Sequence, residues 1–156
     1  MKYLLSIIIC TMAFTQNINY YDKDGETFAD VNVDEFTFTC RVSGMENDGE
    51  AVILLHGFPE TSRMYYDLIP VLASEGFKVV APDQRGYSPG ARPSKISDYS
   101  IDKLSQDILD IADAFQFEKF HLIGHDWGSA VGWVTVAFHS ERVISWTALS
   151  VPHLDA

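Results

Sequence analysis

The sequence has little positive charge, and this limits its possible partners. Its 11 Lys and Arg residues stand against 22 Asp and Glu residues, so the formal net charge is −11. Nucleic-acid binding needs a basic stripe, and the sequence shows none. The composition therefore predicts no nucleic-acid partner. The acidic excess favours solubility and does not identify a substrate.

Patterns that would hold a metal ion or a cofactor are also missing. The two cysteines and five histidines show no zinc-ligand spacing, and there is no glycine-rich phosphate loop. The sequence thus implies no cofactor and no metal. Internal repeats and low-complexity segments are absent as well. Hydrophobic residues at 47% and charged residues at 21% are typical of one globular domain with a substantial core.

The longest apolar run lies at the N-terminus and is short. Lys2 precedes the apolar residues 3–14, and the sequence turns polar just before Gln16. This pattern predicts a secretory signal peptide at residues 1–15, with a buried first strand or helix as the alternative. A membrane-spanning helix needs about 20 residues, so no stable membrane insertion is expected. The prediction is export, periplasmic or extracellular, with Cys40 left as the only thiol and no internal disulfide.

Strand-like and helix-like segments alternate along the rest of the chain. The runs 28–33 and 36–42 predict an antiparallel hairpin. Continuous apolar runs are typical of strands buried on both faces of a parallel sheet, and they occur at residues 51–55, 77–81, 120–123 and 144–149. Helices are predicted at residues 62–68, 101–115 (with Ser100 placed to cap) and 129–139. The fold class is therefore α/β, with a doubly wound sheet.

One long polar segment, residues 84–99, leaves the carboxyl end of the strand predicted at 77–81. Ligands bind at this edge of open α/β sheets, and long loops in compact domains are often functional. A plain surface excursion is an equally good interpretation.

The most informative feature is Gly124-His125-Asp126-Trp127-Gly128. It joins a predicted buried strand to a predicted helix, and small residues at both ends permit a very sharp turn. Such a turn is the nucleophile elbow, which lifts the central side chain clear of the backbone. The central residue here is Asp126 in place of the commoner serine. We therefore predict a carboxylate nucleophile.

A second motif, residues 56–60 (His-Gly-Phe-Pro-Glu), follows the strand predicted at 51–55. In an elbow fold, one oxyanion donor is the N–H after the nucleophile, and the other comes from a loop after an early strand. These donors would be the backbone N–H groups of Trp127 and Phe58.

Together with Asp-Gln-Arg-Gly-Tyr-Ser at 83–88, these two motifs resemble the α/β-hydrolase superfamily, and most closely its epoxide hydrolase branch. The resemblance implies that residues 28–156 form a partial core domain, the N-terminal portion of a doubly wound hydrolase sheet. Haloalkane dehalogenases share the aspartate elbow, but they typically carry Asn where this chain has Phe58. Fluoroacetate dehalogenases usually carry Arg where this chain has Trp127. Both departures favour an epoxide, a small apolar substrate.

The implied reaction opens an epoxide through an ester on Asp126, which a histidine-activated water then hydrolyses to a diol. The family also uses lid tyrosines that protonate the epoxide oxygen. None of the five histidines (His56, His121, His125, His139 and His153) is expected to be the base. We therefore expect an incomplete and inactive chain. The alternatives are a haloalkane dehalogenase with the same nucleophile, and a non-catalytic remnant or small-ligand binder; the oligomeric state is not indicated.

Overall fold

The computed structural model describes residues 18–152, whose strands form one mixed sheet. In chain order they are β1 (Ile18–Lys23), β2 (Glu26–Val33), β3 (Phe36–Ser43), β4 (Ala51–Leu55), β5 (Lys78–Pro82), β6 (Phe120–His125) and β7 (Val143–Leu149). Their spatial order is β1-β2-β3-β5-β4-β6-β7. The adjacent pairs β1–β2, β2–β3 and β3–β5 are antiparallel, whereas β5, β4, β6 and β7 run parallel to one another. The predicted α/β class, a hairpin followed by parallel strands, is confirmed.

Helices cover both faces of this sheet. They are α1 (Leu68–Ser74), α2 (Ile101–Ala114) and α3 (Trp127–Phe138), with short 3₁₀ helices at Ser62–Tyr65, Ile96–Tyr99 and Ser140–Arg142. The stretch predicted as one helix at 62–68 is instead a 3₁₀ turn followed by α1. Pro70 lies in the first turn of α1, where its missing N–H has no helical partner to lose.

The core has two parts, one on each face of the sheet. The larger part lies between the sheet and helices α2 and α3, and it includes the side chains of Phe38, Ile53, Ile108 and Leu122. The smaller part lies on the α1 face and includes Leu54, Tyr65 and Ile69. Adjacent residues of β4 point to opposite faces, so both faces of this strand are apolar because both are buried.

Helix α2 shows how the apolar period produces packing. Its residues Ile108, Leu109, Ile111 and Ala112 are buried, whereas Asp102 lies in the first turn near the positive end of the helix. Ser100 occupies the N-cap position as predicted, but its side chain makes no capping hydrogen bond. The expected capping contact is therefore wrong.

Two strands differ from the sequence-based expectation. In the described residues the sheet begins at Ile18, before the first strand predicted at residue 28. Strand β1 was not predicted because it is a largely exposed edge strand of the described sheet and has only a weak apolar signal. Strand β7 exists as predicted, but the expectation that both its faces are buried is wrong. It is the other edge of the sheet in the described residues, and Ile144 and Leu149 are about two-fifths exposed, at 41% and 40%.

Several predictions concern residues that lie outside the described range. The signal peptide at 1–15 is one, and His153 together with the end of the 28–156 domain is another. Cys40 lies on β3 and is fully buried. Between residues 18 and 152, no helix is both long and apolar enough to cross a membrane, and no group of three potential ligand side chains could hold a metal ion.

Candidate active site

Asp126 lies alone in the turn between β6 and α3. Its backbone has φ 52° and ψ −118°, a left-handed conformation that is uncommon for a residue with a side chain. Its carbonyl accepts hydrogen bonds from the N–H groups of Ser129 and Ala130, at 2.9 and 3.1 Å, which begin the helix. Backbone strain of this kind is concentrated at functional sites. The sharp elbow predicted from the sequence is confirmed as a structural feature.

Two glycines permit the close packing around this turn. A Cβ placed on Gly57 would lie 2.6 Å from the Cβ of Asp126, and a Cβ on Gly128 would clash with the carbonyl of Leu55. The loop after β4 and the start of α3 can therefore approach each other only because both positions lack side chains.

Two backbone N–H groups stabilise the charged form of the Asp126 carboxylate. The N–H of Phe58 donates to Oδ1 with an N–O distance of 2.9 Å, and the N–H of Trp127, the next residue in the chain, adds to the effect. These bonds, Phe58 first, hold the pKa of Asp126 below its ordinary value because they stabilise the charged form. The structure thus brings together all three residues that the sequence singled out: the candidate nucleophile Asp126 and the candidate donors Phe58 and Trp127.

The side chains of these two donors face solvent. Phe58 is 69% exposed and Trp127 is 59% exposed. They border a cleft of about 250 Å³ that is lined by His56, Gly57, Phe58, Gln84, Arg85, Tyr87, Tyr99, Leu104, Trp127 and Val131. Most of this lining is aromatic or apolar, which suits a small apolar molecule. Asp126 is not one of the lining residues, but it directly precedes Trp127, which is.

The loop 84–99 contributes four residues to that cleft, which favours the functional interpretation of this segment. Arg85 holds the loop in place: it makes a bidentate ion pair with the buried Asp107 and donates to the carbonyl of Asp98 at 3.0 Å. Its guanidinium also stacks over the ring of Phe36. Asp83, at the start of the segment, accepts from the N–H and hydroxyl of Ser62 and is structural, as expected.

Two contacts near the elbow were not predicted from the sequence. His125 Nδ1 lies 3.5 Å from a carboxylate oxygen of Glu60, so an imidazole and a carboxylate from the two motifs face each other. Ser129 Oγ lies 2.6 Å from the carbonyl oxygen of Gly124 and 3.0 Å from that of Leu149, so its one hydroxyl proton is shared between them and joins the ends of β6 and β7. The available signal was the position of these polar residues inside or directly after the motifs.

A third contact that was not predicted from the sequence involves His56. It is fully buried beneath the cleft, and its ring contacts Gln84, which lies 28 residues away in the chain. Residues expected to have only packing roles behave accordingly. Trp133 and Trp146 form an edge-to-face pair with ring centres 5.6 Å apart, Tyr65 is buried, and Tyr66 is exposed.

Comparison with known proteins places this geometry in a family. Residues 50–156 match the family model described as alpha/beta hydrolase fold. The chain is 39% identical over 130 residues to AB hydrolase superfamily protein YfhM of Bacillus subtilis, covering 83% of this chain and 45% of that protein. It is 42% identical over 113 residues to Epoxide hydrolase A of Mycobacterium tuberculosis, covering 72% of this chain and 35% of that protein.

A solved structure shows the same relationship in three dimensions. Epoxide Hydrolase A from Mycobacterium thermoresistibile superposes with a TM-score of 0.73 at 32% identity, over 89% of this chain and 40% of that one. The chain therefore spans less than half the length of the proteins that it matches here.

Proposed function

Because the chain belongs to the α/β-hydrolase fold family, we propose that its site carries out epoxide hydrolysis with Asp126 as the nucleophile. The observation that carries the proposal is the pair of N–H groups, from Phe58 and Trp127, on the Asp126 carboxylate. They keep this side chain ionised and aimed, and the same donors suit the later charge on an ester oxygen. The similarity to two epoxide hydrolases supports the choice of substrate.

In the first step, the free oxygen of Asp126 attacks an epoxide carbon. The N–H of Phe58 donates to Oδ1, so we take Oδ2 as the attacking oxygen. The carbon–oxygen bond of the ring breaks, its electron pair stays on the ring oxygen, and that oxygen takes up a proton. The product is an alkyl ester of Asp126. The resemblance implies that lid tyrosines supply the proton.

In the second step, water attacks Cγ of the ester and loses a proton to a base. Negative charge then develops on Oδ1, the atom to which the N–H of Phe58 already donates. Collapse of this tetrahedral intermediate breaks the bond to the diol oxygen, which is protonated, and regenerates the carboxylate. Removing one such donor costs about 3 kcal/mol in an enzyme where it has been tested. We assign no base among residues 18–152.

The test is a single turnover in oxygen-18 water, with the protein at the length its gene encodes and in excess over an aryl epoxide. The expected result is an unlabelled diol, with the label found in Asp126 by mass spectrometry of the peptide that contains it. Label that enters the diol directly in this first turnover would contradict a covalent ester.

The same experiment separates the alternatives that the sequence left open. A haloalkane would yield an alcohol and free halide through the same Asp126 ester, so halide release without epoxide turnover would assign dehalogenation. A protein that neither turns over nor labels Asp126 would be the non-catalytic remnant. Phe58, in the position where haloalkane dehalogenases typically carry Asn, supports the epoxide.

We also propose that the chain is exported, on the pattern of residues 1–15 alone. The measurement is the N-terminal sequence of the mature protein. A start at Gln16 is expected, whereas a retained Met1 would contradict export by a cleaved signal peptide.

A further inference from the structure

One peptide group links the loop after β4 to the candidate nucleophile. Gly57 supplies its carbonyl and Phe58 supplies its N–H, so the two groups share one rigid plane. The N–H donates to Asp126 Oδ1 at 2.9 Å. The carbonyl oxygen accepts from the N–H of Glu60 at 3.0 Å and lies 2.9 Å from Nδ1 of His56. The orientation of the donor therefore depends on what holds the carbonyl at the other end of the plane.

The protonation of the His56 ring follows from its other nitrogen. Nε2 lies 3.0 Å from the backbone N of Gln84, and a backbone N–H can only donate. Nε2 must therefore present a lone pair, and the proton of the neutral ring lies on Nδ1. Consequently Nδ1–H donates to the carbonyl of Gly57. Burial also lowers the pKa of His56, which agrees with a neutral ring.

Further contacts hold this ring in one place. The side-chain amide of Gln84 donates to the carbonyl of His56 at 2.6 Å, and the ring of Tyr87 packs edge-to-face with ring centres 4.6 Å apart. His56 is fully buried, so water does not compete for its two nitrogens. An unbroken series of hydrogen bonds thus runs from the N–H of Gln84 through His56 and the Gly57–Phe58 peptide to Asp126.

We propose that His56 is a positioning residue that orients and polarises the Gly57–Phe58 peptide, which strengthens the Phe58 N–H as a donor to Asp126; its catalytic consequence rests on the proposed function. Hydrogen bonds in series polarise one another, so a donor on the carbonyl oxygen makes the N–H of the same peptide more acidic. Charge on Asp126 Oδ1, in the carboxylate or in a tetrahedral intermediate, gains most from that change. The loop 84–99 thereby influences the nucleophile without touching it.

Two substitutions separate this role from a purely structural one, in which His56 only connects its own loop to the loop at Gln84. In His56→Asn the side-chain NH₂ takes the place of Nδ1, so donation to Gly57 is kept and the bond from Gln84 is lost. In His56→Gln the carbonyl oxygen takes the place of Nε2, so the bond from Gln84 is kept and donation to Gly57 is lost. If His56 only connects the two loops, Gln should be the better replacement because it keeps the bond from Gln84. The proposal predicts that Asn is the better replacement because it keeps the donation to Gly57.

The first measurement needs no activity: the pKa of the Asp126 carboxyl from carbon-13 NMR titration of the chain. We expect His56→Gln to raise this pKa by about 0.5, because the weakened donor favours the charged form less, and His56→Asn to leave it within about 0.2 of the wild-type value. Equal values in the two variants, or a larger rise in the Asn variant, would overturn the proposal.

A measurement on the unsubstituted chain keeps the proposal testable if both variants unfold. Nitrogen-15 NMR of the His56 ring should show a protonated Nδ1 and an unprotonated Nε2 at neutral pH. The opposite tautomer or a doubly protonated ring would refute the hydrogen-bond series. Where turnover is measurable, His56→Gln should lower kcat about tenfold and change KM little. If oxygen-18 labelling fails while the NMR results hold, the proposed reaction is wrong and the positioning of the peptide stands.

Discussion

The two ends of β6 carry similar residue types in very different settings. At the amino end, His121 lies between Ser145 and Glu50: Nδ1 is 2.7 Å from the hydroxyl, and Nε2 is 2.9 Å from the carboxylate. A hydroxyl, an imidazole and a carboxylate in series also make up a hydrolytic triad, but there Nε2 faces the hydroxyl and Nδ1 faces the carboxylate. At the carboxyl end, no such hydrogen-bonded series of side chains reaches Asp126 within residues 18–152.

The backbone accounts for the difference between the two ends. Asp126 lies in a left-handed turn with two N–H groups on its carboxylate. His121 and Ser145 are paired residues of adjacent parallel strands with no left-handed backbone, and Glu50 is 61% exposed. Stabilisation of a developing charge comes mainly from preorganised donors. Side-chain spacing alone therefore identifies a cross-strand contact at one end, whereas backbone geometry identifies the candidate site at the other.

The largest expected effect belongs to Asp126→Asn. Asparagine fits the same left-handed turn, so the fold should persist, but the amide cannot act as a carboxylate nucleophile. In the protein at the length its gene encodes, epoxide turnover should fall roughly 10⁴-fold or more, by analogy with loss of a nucleophile in other hydrolases. Ser145→Ala is the matched control at the amino end and should stay within about threefold of wild type. A large loss in Ser145→Ala with little loss in Asp126→Asn would reverse the comparison.

Gly57→Ala should have the next largest effect. Its Cβ would lie 2.6 Å from the Cβ of Asp126, so either the elbow or the loop after β4 must move. A displacement on the order of 1 Å can cost about 100-fold in rate. Gly25→Ala is the control: its Cβ would meet nothing within 4 Å, while its φ of 81° imposes strain on alanine. We expect thermal melts to detect both changes and turnover to be lost only in Gly57→Ala.

A smaller effect concerns the dependence of stability on pH. Burial lowers the pKa of His56, so at acid pH the unfolded chain binds a proton that the folded chain does not. Acidification therefore favours unfolding, and the contribution of His56 is lost as the pH falls below about 6.5. Urea unfolding at about pH 7.5 and about pH 5 should show a lower free energy of unfolding at the lower pH, and His56→Asn should reduce this difference. An unchanged pH dependence in the variant would contradict a buried neutral ring.

The smallest effect is expected at Ser145 itself. Its cluster is partly exposed, so Ser145→Ala and Glu50→Gln should each change the free energy of unfolding by less than about 0.5 kcal/mol. A fluorophosphonate probe should leave Ser145 unlabelled in the wild-type chain, because no donors are preorganised there. Labelling at Ser145, mapped by mass spectrometry, would show that the spacing of side chains is sufficient after all.

Local patterns predicted much of the fold. The run at 51–55 is a strand with the predicted bounds, and the hairpin on either side of Asp34 is confirmed within two residues. Tyr65 and Tyr66 lie in the core and in solvent as expected. These features depend on apolar period and turn residues within short windows, which is the information that a sequence carries most directly.

Features that depend on distant partners were missed. Strand β1 has a weak apolar signal and exists because it pairs with β2. The apolar run of strand β7 predicts burial on both faces of the sheet. In the described residues β7 is an edge strand, and Ile144 and Leu149 are exposed. The contact between His56 and Gln84 joins two loops that are adjacent only because β4 and β5 pair in the sheet.

The sequence by itself determined the sharp turn, its aspartate and the two small residues that permit it, because these are local requirements of the backbone. Only the tertiary structure brings the N–H of Phe58, 68 residues away in the chain, to the Asp126 carboxylate. The tertiary structure also places the His56 ring between the carbonyl of Gly57 and the N–H of Gln84. The physical reason is the pairing of parallel strands: it brings the carboxyl ends of β4, β5 and β6 to one edge, although they lie far apart in the chain.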